Sequence, residues 1–346
     1  MKVGIITRHL GLPVGFGTYG ENLLRTLARI GTENEYLVYV PRWNDVPDLG
    51  FRIRRFPVPE LRSALGAWDL SVAPAAAARD QVDLIHYLHP AYPALNPRRP
   101  VAVNLLDAIG WVVPGYKLPQ PYERLERRAA RKADLVLTLS ESARDDIRRV
   151  LGVPRERIRV TYLGAPAVTP GPHAKERYFL FVGGTERRKN LHKVLEAFSG
   201  FDGYELRVVG RTEPSPIHDV RTDQPRVKWL GHVTADELER LYANAIALVF
   251  PSLYEGFGLP VVEAMARSTP VIAGNVSSVP EVAKDAALLV DPNDAGAIRD
   301  AMRRIADDAS LRAELVKRGC EVASGFTWEQ TARATLAAYE ALCESR

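Results

Sequence analysis

The feature that most constrains this chain is a rhythm that occurs twice. Short runs rich in Val, Ile and Leu alternate with helix-sized amphipathic segments, the pattern of parallel βαβ units. In the first half the apolar runs predict strands at Val3–Thr7, Tyr36–Val40, Leu84–Tyr87, Val101–Leu105, Leu135–Leu139 and Ile158–Thr161. The intervening spacing predicts helices over Tyr19–Ile30, ending at Gly31, and over Tyr122–Lys132. Another begins at Ser140, with Glu141 and Asp145 near its positive end. The rhythm breaks at Gly164–Pro172, where three prolines and two glycines fall in nine residues. A second series starts at Tyr178–Val182 and runs through Glu205–Val209, Val227–Leu230, Ala247–Phe250, Val271–Ala273 and Ala287–Val290. Helices over about Asp294–Ala306 and Leu311–Val322 follow, and a last one starts at Trp328.

A chain of 346 residues is too long for one ordinary core and comfortable for two domains of about 150 residues each. The expected class is α/β. Two doubly wound, Rossmann-like domains, 1–165 and 174–327, turn their strand ends toward each other across a cleft, and 328–346 forms a closing helix. The longest apolar stretches, such as Ala245–Phe250, are strand-sized, far short of the ~20 residues a membrane span needs. The opening Met1–Arg8 has no signal-peptide core, so a cytoplasmic protein is expected. Cys320 and Cys343 are too few for a disulfide framework and are not at metal spacing. The net charge of +4 does not call for nucleic acid as a partner. The run of basic residues from Arg124 to Arg159 reads either as solvated helix faces or as a surface for anionic lipid at the inner membrane face or for a phosphorylated acceptor.

Two segments carry the chemistry. In Pro251–Ala266 a buried strand gives way to a Gly-rich loop and then to a helix that starts near Pro260. Backbone N–H groups at such a helix start form an anion site. Glu255 in the loop and Glu263 in the first or second helical turn can both face a ligand there. Carboxylates are repelled by a diphosphate, so these two are expected to take hydroxyls of a sugar and of a ribose. The plainer alternative is that Glu255 caps the helix and Glu263 lies on the surface. The other segment, Phe181–Leu191, is again strand, Gly turn at Gly183-Gly184, then helix, with Arg187, Arg188 and Lys189 at its start. Cations at the positive end of a helix are unfavourable by up to about 1 kcal/mol. They make sense when an anion lies between, so Arg188 and Lys189 are expected to clamp a diphosphate.

Together with Gly231-His232-Val233 and Ser277–Val282, these segments closely resemble the retaining glycosyltransferases of the GT-B fold, in particular their large family four. The Glu255…Glu263 pair resembles that family's two-glutamate motif, and Arg188-Lys189-Asn190 its diphosphate clamp. The resemblance covers most of residues 178–290. It implies that Glu263 holds the nucleotide ribose and that Glu255, Gly256 and the Phe257-Gly258-Leu259 backbone hold the donor sugar. It also implies that Val233 lies by the base and that the helix from Trp328 crosses back to the first domain.

The first half is similar to the family more loosely. Gly15, Gly17, Tyr19 and Gly20 resemble its glycine loop near the diphosphate and acceptor. Asp107, expected as a catalytic carboxylate, stands where many members carry a His-Asp pair, with Leu106 in place of the histidine. Gly184 stands where an arginine is common, which moves weight onto Arg188. His86 and His89 are expected on the acceptor side and not as a metal pair. No D-x-D triad occurs, so metal-free chemistry without a cofactor is expected, retaining and dissociative by the resemblance. The wording Tyr254–Pro260 resembles a mannosyltransferase-like branch and points to GDP-mannose. The acceptor is expected to be a glycan, a lipid-linked precursor or a small molecule.

Gly15-x-Gly-x-x-Gly20 also matches the dinucleotide fingerprint. A nicotinamide-dependent oxidoreductase fares badly, because seven residues separate Thr7 from Gly15 and the second strand ends at Val40 with Pro41-Arg42 and not with an acidic residue. A nucleotide-sugar-binding relic without turnover is a second alternative, and a phosphorylase or sucrose-type enzyme acting on a small free acceptor is a third.

Overall fold

The computed structural model describes residues 1–12, 15–30, 33–116, 118–165, 175–210 and 224–344. The expected helix end at Gly31 and most of the Gly164–Pro172 break lie outside the described residues. The chain divides into two compact units, Met1–Gly164 with Trp328–Arg346, and Ala165–Thr327.

The first unit holds β1 (Lys2–Ile6), β2 (Glu35–Pro41), β3 (Arg52–Phe56), β4 (Leu84–Tyr87), β5 (Val101–Asn104), β6 (Leu135–Thr138) and β7 (Ile158–Val160). Every pair is parallel, in the order β3-β2-β1-β4-β5-β6-β7. The second unit holds β8 (Tyr178–Val182), β9 (Glu205–Val209), β10 (Val227–Gly231), β11 (Ala247–Phe250), β12 (Val271–Gly274) and β13 (Leu288–Val290). It repeats the plan as β10-β9-β8-β11-β12-β13, again all parallel. Strands β4, β5, β6, β11 and β12 are buried at every position, so both faces of each sheet are covered. That burial is why their sequences read as unbroken apolar runs.

Strand β3, with the sequence RIRRF, was not expected. It is an edge strand, and its arginines are tied down: Arg54 pairs with Asp80, and the Arg55 guanidinium donates to the Asn44 carbonyl. The first helix is Gly15–Arg29 and starts earlier than the expected Tyr19. Gly17 allows this, because a Cβ there would lie 2.2 Å from the Leu12 carbonyl oxygen and 2.4 Å from that of His9. Helices Arg62–Ala67 and Ala73–Arg79, also unforeseen, are joined by a single π-turn, Trp68–Val72.

The helix Trp328–Glu344 packs within the first unit. The Tyr339 hydroxyl donates to His86 Nδ1 at 2.6 Å, and the Thr331 hydroxyl to the Tyr162 carbonyl at 2.6 Å. In the basic stretch, Arg127, Arg128, Arg131, Arg157 and Arg159 donate to backbone carbonyls, while Arg144, Arg149 and Arg155 pair with nearby carboxylates. Many of these charges therefore organise their own helix surfaces. Among the described residues no helix is long and apolar enough to cross a membrane.

Candidate active site

In the second unit β8 and β11 are neighbours, while the chain leaves β8 toward β9 and β11 toward β12. The strand order reverses between them, and a doubly wound sheet opens its ligand crevice there, beyond the carboxyl ends of its strands. Both chemistry-bearing segments fall at this point, 183–190 after β8 and 251–258 after β11. They interlock. The Leu253 N–H donates to the Arg188 carbonyl at 2.7 Å, and Asn190 Nδ2 to the carbonyls of Pro251 at 2.9 Å and Pro292 at 2.6 Å. This anchoring corrects one expectation. Arg187–Lys189 form a short 3-10 turn, Asn190 adopts a φ of 64°, and the helix Leu191–Phe198 starts only after the cations.

Those cations meet a carboxylate of the chain itself. Lys189 Nζ lies 2.7 Å from Glu255 Oε1 and Arg188 Nη1 lies 2.9 Å from Glu255 Oε2, with the Glu255 side chain 9% exposed. Glu255 is thus neither a simple helix cap nor independent of the clamp. Half-exposed Glu186 approaches Arg188 Nε at 3.1 Å. The Lys189 stem runs over Gly183, where a Cβ would lie 2.9 Å from Lys189 Cδ, and its ammonium sits 4.8 Å from the Phe250 ring centroid. The Glu255 backbone is fixed from the other side: its N–H donates to Ser277 Oγ at 2.9 Å, and Ser278 Oγ donates to its carbonyl at 2.9 Å.

Glu263 stands on the helix Leu259–Ala266, which Gly258 caps. Burial pushes its carboxyl above the usual carboxylate range, and the Tyr242 hydroxyl, Arg267 and Lys189 pull the other way. Tyr242 donates that hydroxyl to Glu263 Oε2 at 2.9 Å, and Arg267 Nη1 donates to the Glu263 carbonyl. Glu263 is therefore a held, mostly buried group and not a surface residue. Sequence reasoning missed Tyr242, which on a helix has the spacing of an ordinary core aromatic. Gly256 is buried, and the Phe257 ring packs on Phe326 with centroids 5.4 Å apart. Leu259 opens the helix, and half-buried Val233 sits in the loop after β10.

In the first unit two residues expected on the acceptor side, His86 and Tyr19, lie in the interior. His86 is 0% exposed, with Nε2 donating to Asn104 Oδ1 at 2.8 Å and Nδ1 accepting from Tyr339, so both ring nitrogens are engaged and none is left for an acceptor. Burial holds its pKa down at about 4. Tyr19 is likewise buried, with its ring edge-on to Trp328. His89 differs, since it lines a cavity. Gly15 is exposed at the start of its helix. Asp107 is half-buried, and its Oδ1 accepts from the Ile109 N–H at 2.9 Å. Among the described residues no group of three or more His, Cys, Asp or Glu side chains is placed to hold a metal ion.

Comparison with known proteins meets this geometry. Residues 169–322 match the family described as glycosyl transferases group 1, and residues 14–164 match the glycosyl transferase 4-like domain. O-antigen chain mannosyltransferase B of Escherichia coli is 34% identical over 238 residues, 61% of this chain and 61% of that protein. The O-antigen chain mannosyltransferase RfbU of Salmonella typhimurium is 35% identical over 188 residues, 52% of this chain and 53% of that protein. These matches span less than two thirds of the relatives' lengths. In three dimensions the chain is similar to sucrose-phosphate synthase of Thermosynechococcus elongatus, with a TM-score of 0.78 at 22% identity over 100% of both chains. Anabaena HepE in complex with UDP-glucose gives a TM-score of 0.72 at 18% identity, over 98% of this chain and 100% of that one. With both family models matched in succession along it, the chain belongs to the group 1 glycosyltransferases and has their GT-B fold.

Proposed function

We propose that this protein is a retaining, metal-independent mannosyltransferase that uses GDP-mannose and glycosylates a hydroxyl of a glycan or a glycan precursor. The observation that carries the reading is the ion-paired trio of buried Glu255 and Lys189 with partly buried Arg188, at the switch point of the second unit. The mannosyltransferases among the relatives, at 34% and 35% identity, support the choice of sugar.

In this reading Glu263 takes the ribose hydroxyls, the backbone at Phe257–Leu259 and Glu255 take the sugar, and the Val233 loop lies by the base. Arg188 and Lys189 bear on the diphosphate. As the bond from the anomeric carbon to the phosphate oxygen breaks, charge grows on the diphosphate, where these cations offset it. Loss of one such preorganised contact costs about 100- to 1000-fold in turnover. The departing phosphate oxygen accepts the proton of the attacking hydroxyl, whose oxygen bonds to the anomeric carbon on the same face. The configuration is retained and no side-chain base is required.

The test offers GDP-mannose, UDP-glucose and UDP-N-acetylglucosamine in separate reactions with oligosaccharide acceptors in EDTA. The expected result is GDP release from GDP-mannose and an α-mannosyl product. Turnover of a UDP-sugar instead overturns the donor, loss of activity in EDTA overturns metal independence, and a β-mannoside overturns retention.

A further inference from the structure

The first unit gathers positive charge at the amino ends of its strands. Strands β5, β6 and β7 are parallel neighbours, so the residues that lead into them lie side by side. Those entries carry Arg98 and Arg99, Arg131 and Lys132, and Arg155 and Arg157, all six exposed. The carboxylates within the same entries are Asp134 and Glu156, and Asp134 is spent on the Val101 N–H at 2.9 Å. The surplus of cations here equals the +4 net charge of the whole chain.

The second unit shows how this chain treats arginines at such places otherwise. Around the entries of β8, β9 and β10, Arg207 pairs with Glu176 at 3.0 Å and Glu205 at 3.2 Å, and Arg226 with Asp202 at 2.7 Å. In the first unit Arg155 is paired in this way, with Asp145 at 3.0 Å. Arg131 instead donates Nε to the Leu151 carbonyl at 2.7 Å, and Arg157 donates Nη1 to the Arg131 carbonyl at 3.4 Å. A neutral acceptor fixes a guanidinium group and leaves its charge in place. The helix macrodipole accounts for Arg131 and Lys132 at the end of the helix Tyr122–Lys132. Arg98 and Arg99 end no helix, so that account leaves them out.

Beside this rim the same face is concave. A groove of about 450 Å³ is lined by Met1 ahead of β1, Asp83 ahead of β4, Arg98, Arg99 and Pro100 ahead of β5, and Cys343. The Asp83 carboxylate accepts from the Lys2 N–H at 2.7 Å. The sulfurs of Met1 and Cys343 lie 3.7 Å apart, so the wall joins a soft apolar patch to two guanidinium groups. Strands β1, β4, β5, β6 and β7 are consecutive in the sheet. At about 4.8 Å per strand, groove and rim together span about 19 Å, the length of about six residues of extended chain. A bilayer surface is flat and covers a rim without entering a groove, whereas a narrow peptide can do both.

We infer that this face docks an extended acidic segment of a partner protein, with an apolar side chain in the groove and carboxylates across the three basic entries. A doubly wound sheet opens its ligand crevice beyond the carboxyl ends of its strands, so a partner held at the amino ends leaves the crevice free. The inference stands apart from the choice of donor and acceptor.

The experiment follows the fluorescence anisotropy of a labelled peptide of about six residues, a leucine followed by glutamates, titrated with the full chain. Phosphatidylglycerol vesicles and a DNA duplex are offered in parallel. The expected result is saturable peptide binding, weakened about tenfold in the combined variant Arg98→Gln, Arg99→Gln and Lys132→Gln, as for three exposed ion pairs lost together. Arg226→Gln, the same change of charge at a paired site, should leave binding unaltered, and a glutamine version of the peptide should not bind. In the wild type, saturating peptide should slow alkylation of Cys343 several-fold relative to Cys320. Peptide binding that is absent, or equal in the wild type and the combined variant, overturns the surface. An unchanged rate at Cys343 overturns the seat in the groove. Binding of the vesicles or the duplex in place of the peptide overturns the class of partner.

Discussion

Replacing Glu255 by Gln separates the two parts this residue plays. The substitution keeps the shape of the side chain but removes the charge on which Lys189 and Arg188 converge at 2.7 and 2.9 Å. Their side chains are only 11% and 18% exposed, so water replaces the lost partner poorly. Breaking a buried ion pair by removing one partner costs about 3–5 kcal/mol. The remaining amide oxygen still accepts from Lys189, which places the expected loss near 3 kcal/mol. For a unit of this size each kcal/mol moves the melting midpoint by about 2–4 °C, so calorimetry should show a drop of roughly 6–12 °C in the transition of the second unit. The same change frees two cations for a diphosphate. GDP at a hundred times its Kd adds about 2.7 kcal/mol to the wild type, and the shift in the variant at the same concentration should be larger by about 1 kcal/mol or more. Transfer should fall at least about 100-fold although nucleotide binds no worse. The reasoning is refuted by a variant that melts within a degree or two of the wild type and gains no more from GDP than it does.

Gly183→Ala places a methyl where the Lys189 stem passes, at 2.9 Å from Cδ, and donor affinity measured by calorimetry should drop about tenfold; unchanged affinity would mean the lysine is not held by that passage. Tyr242→Phe removes the hydroxyl that favours the ionised form of Glu263, so its carboxyl should rise further and GDP affinity should fall by about three- to tenfold, with the loss growing as pH drops. A pH-independent loss would assign Tyr242 to packing alone. His86 is held at about 4 in the fold, against about 6.5 when unfolded, so the unfolded chain takes up the proton first. Its contribution is complete above about pH 6.5 and decays as pH falls toward 4, by about 3 kcal/mol in all. Urea melts of wild type and His86→Gln should therefore converge as the pH is lowered, and parallel curves would sink the assignment.

The strands buried on both faces were legible because burial leaves a continuous apolar run that few other elements show. Strand β3 was not, since an edge strand keeps its arginines by pairing Arg54 with Asp80 and Arg55 with the Asn44 carbonyl, contacts that only the fold creates. The Gly-rich loop with Glu255 and Glu263 was legible as a candidate ligand site from turn chemistry and helix-end electrostatics. What the loop does to the cations was not. Glu255 and Lys189 are separated by 66 residues, and only the adjacency of β8 and β11 brings them into contact. Physical reasoning about Arg188 and Lys189 correctly required an anion but assigned it to a ligand alone, while the fold supplies one of its own. The π-turn that presents Asp69 left no trace in the sequence, because its residues, WDLSV, read as an ordinary amphipathic turn.

Tyr339 closes His86 from a helix that follows every residue of the second unit. During synthesis, residues 1–164 emerge with that histidine nitrogen and the Tyr19 flank uncovered, and 163 more residues must be made before residue 328 appears. At 5–20 residues per second this is a wait of roughly 10–30 s. The second unit, whose residues are contiguous, can finish folding inside the interval. Of the two units the one made earlier is thus completed later, and a stop codon within the Trp328–Glu344 helix damages the unit encoded upstream.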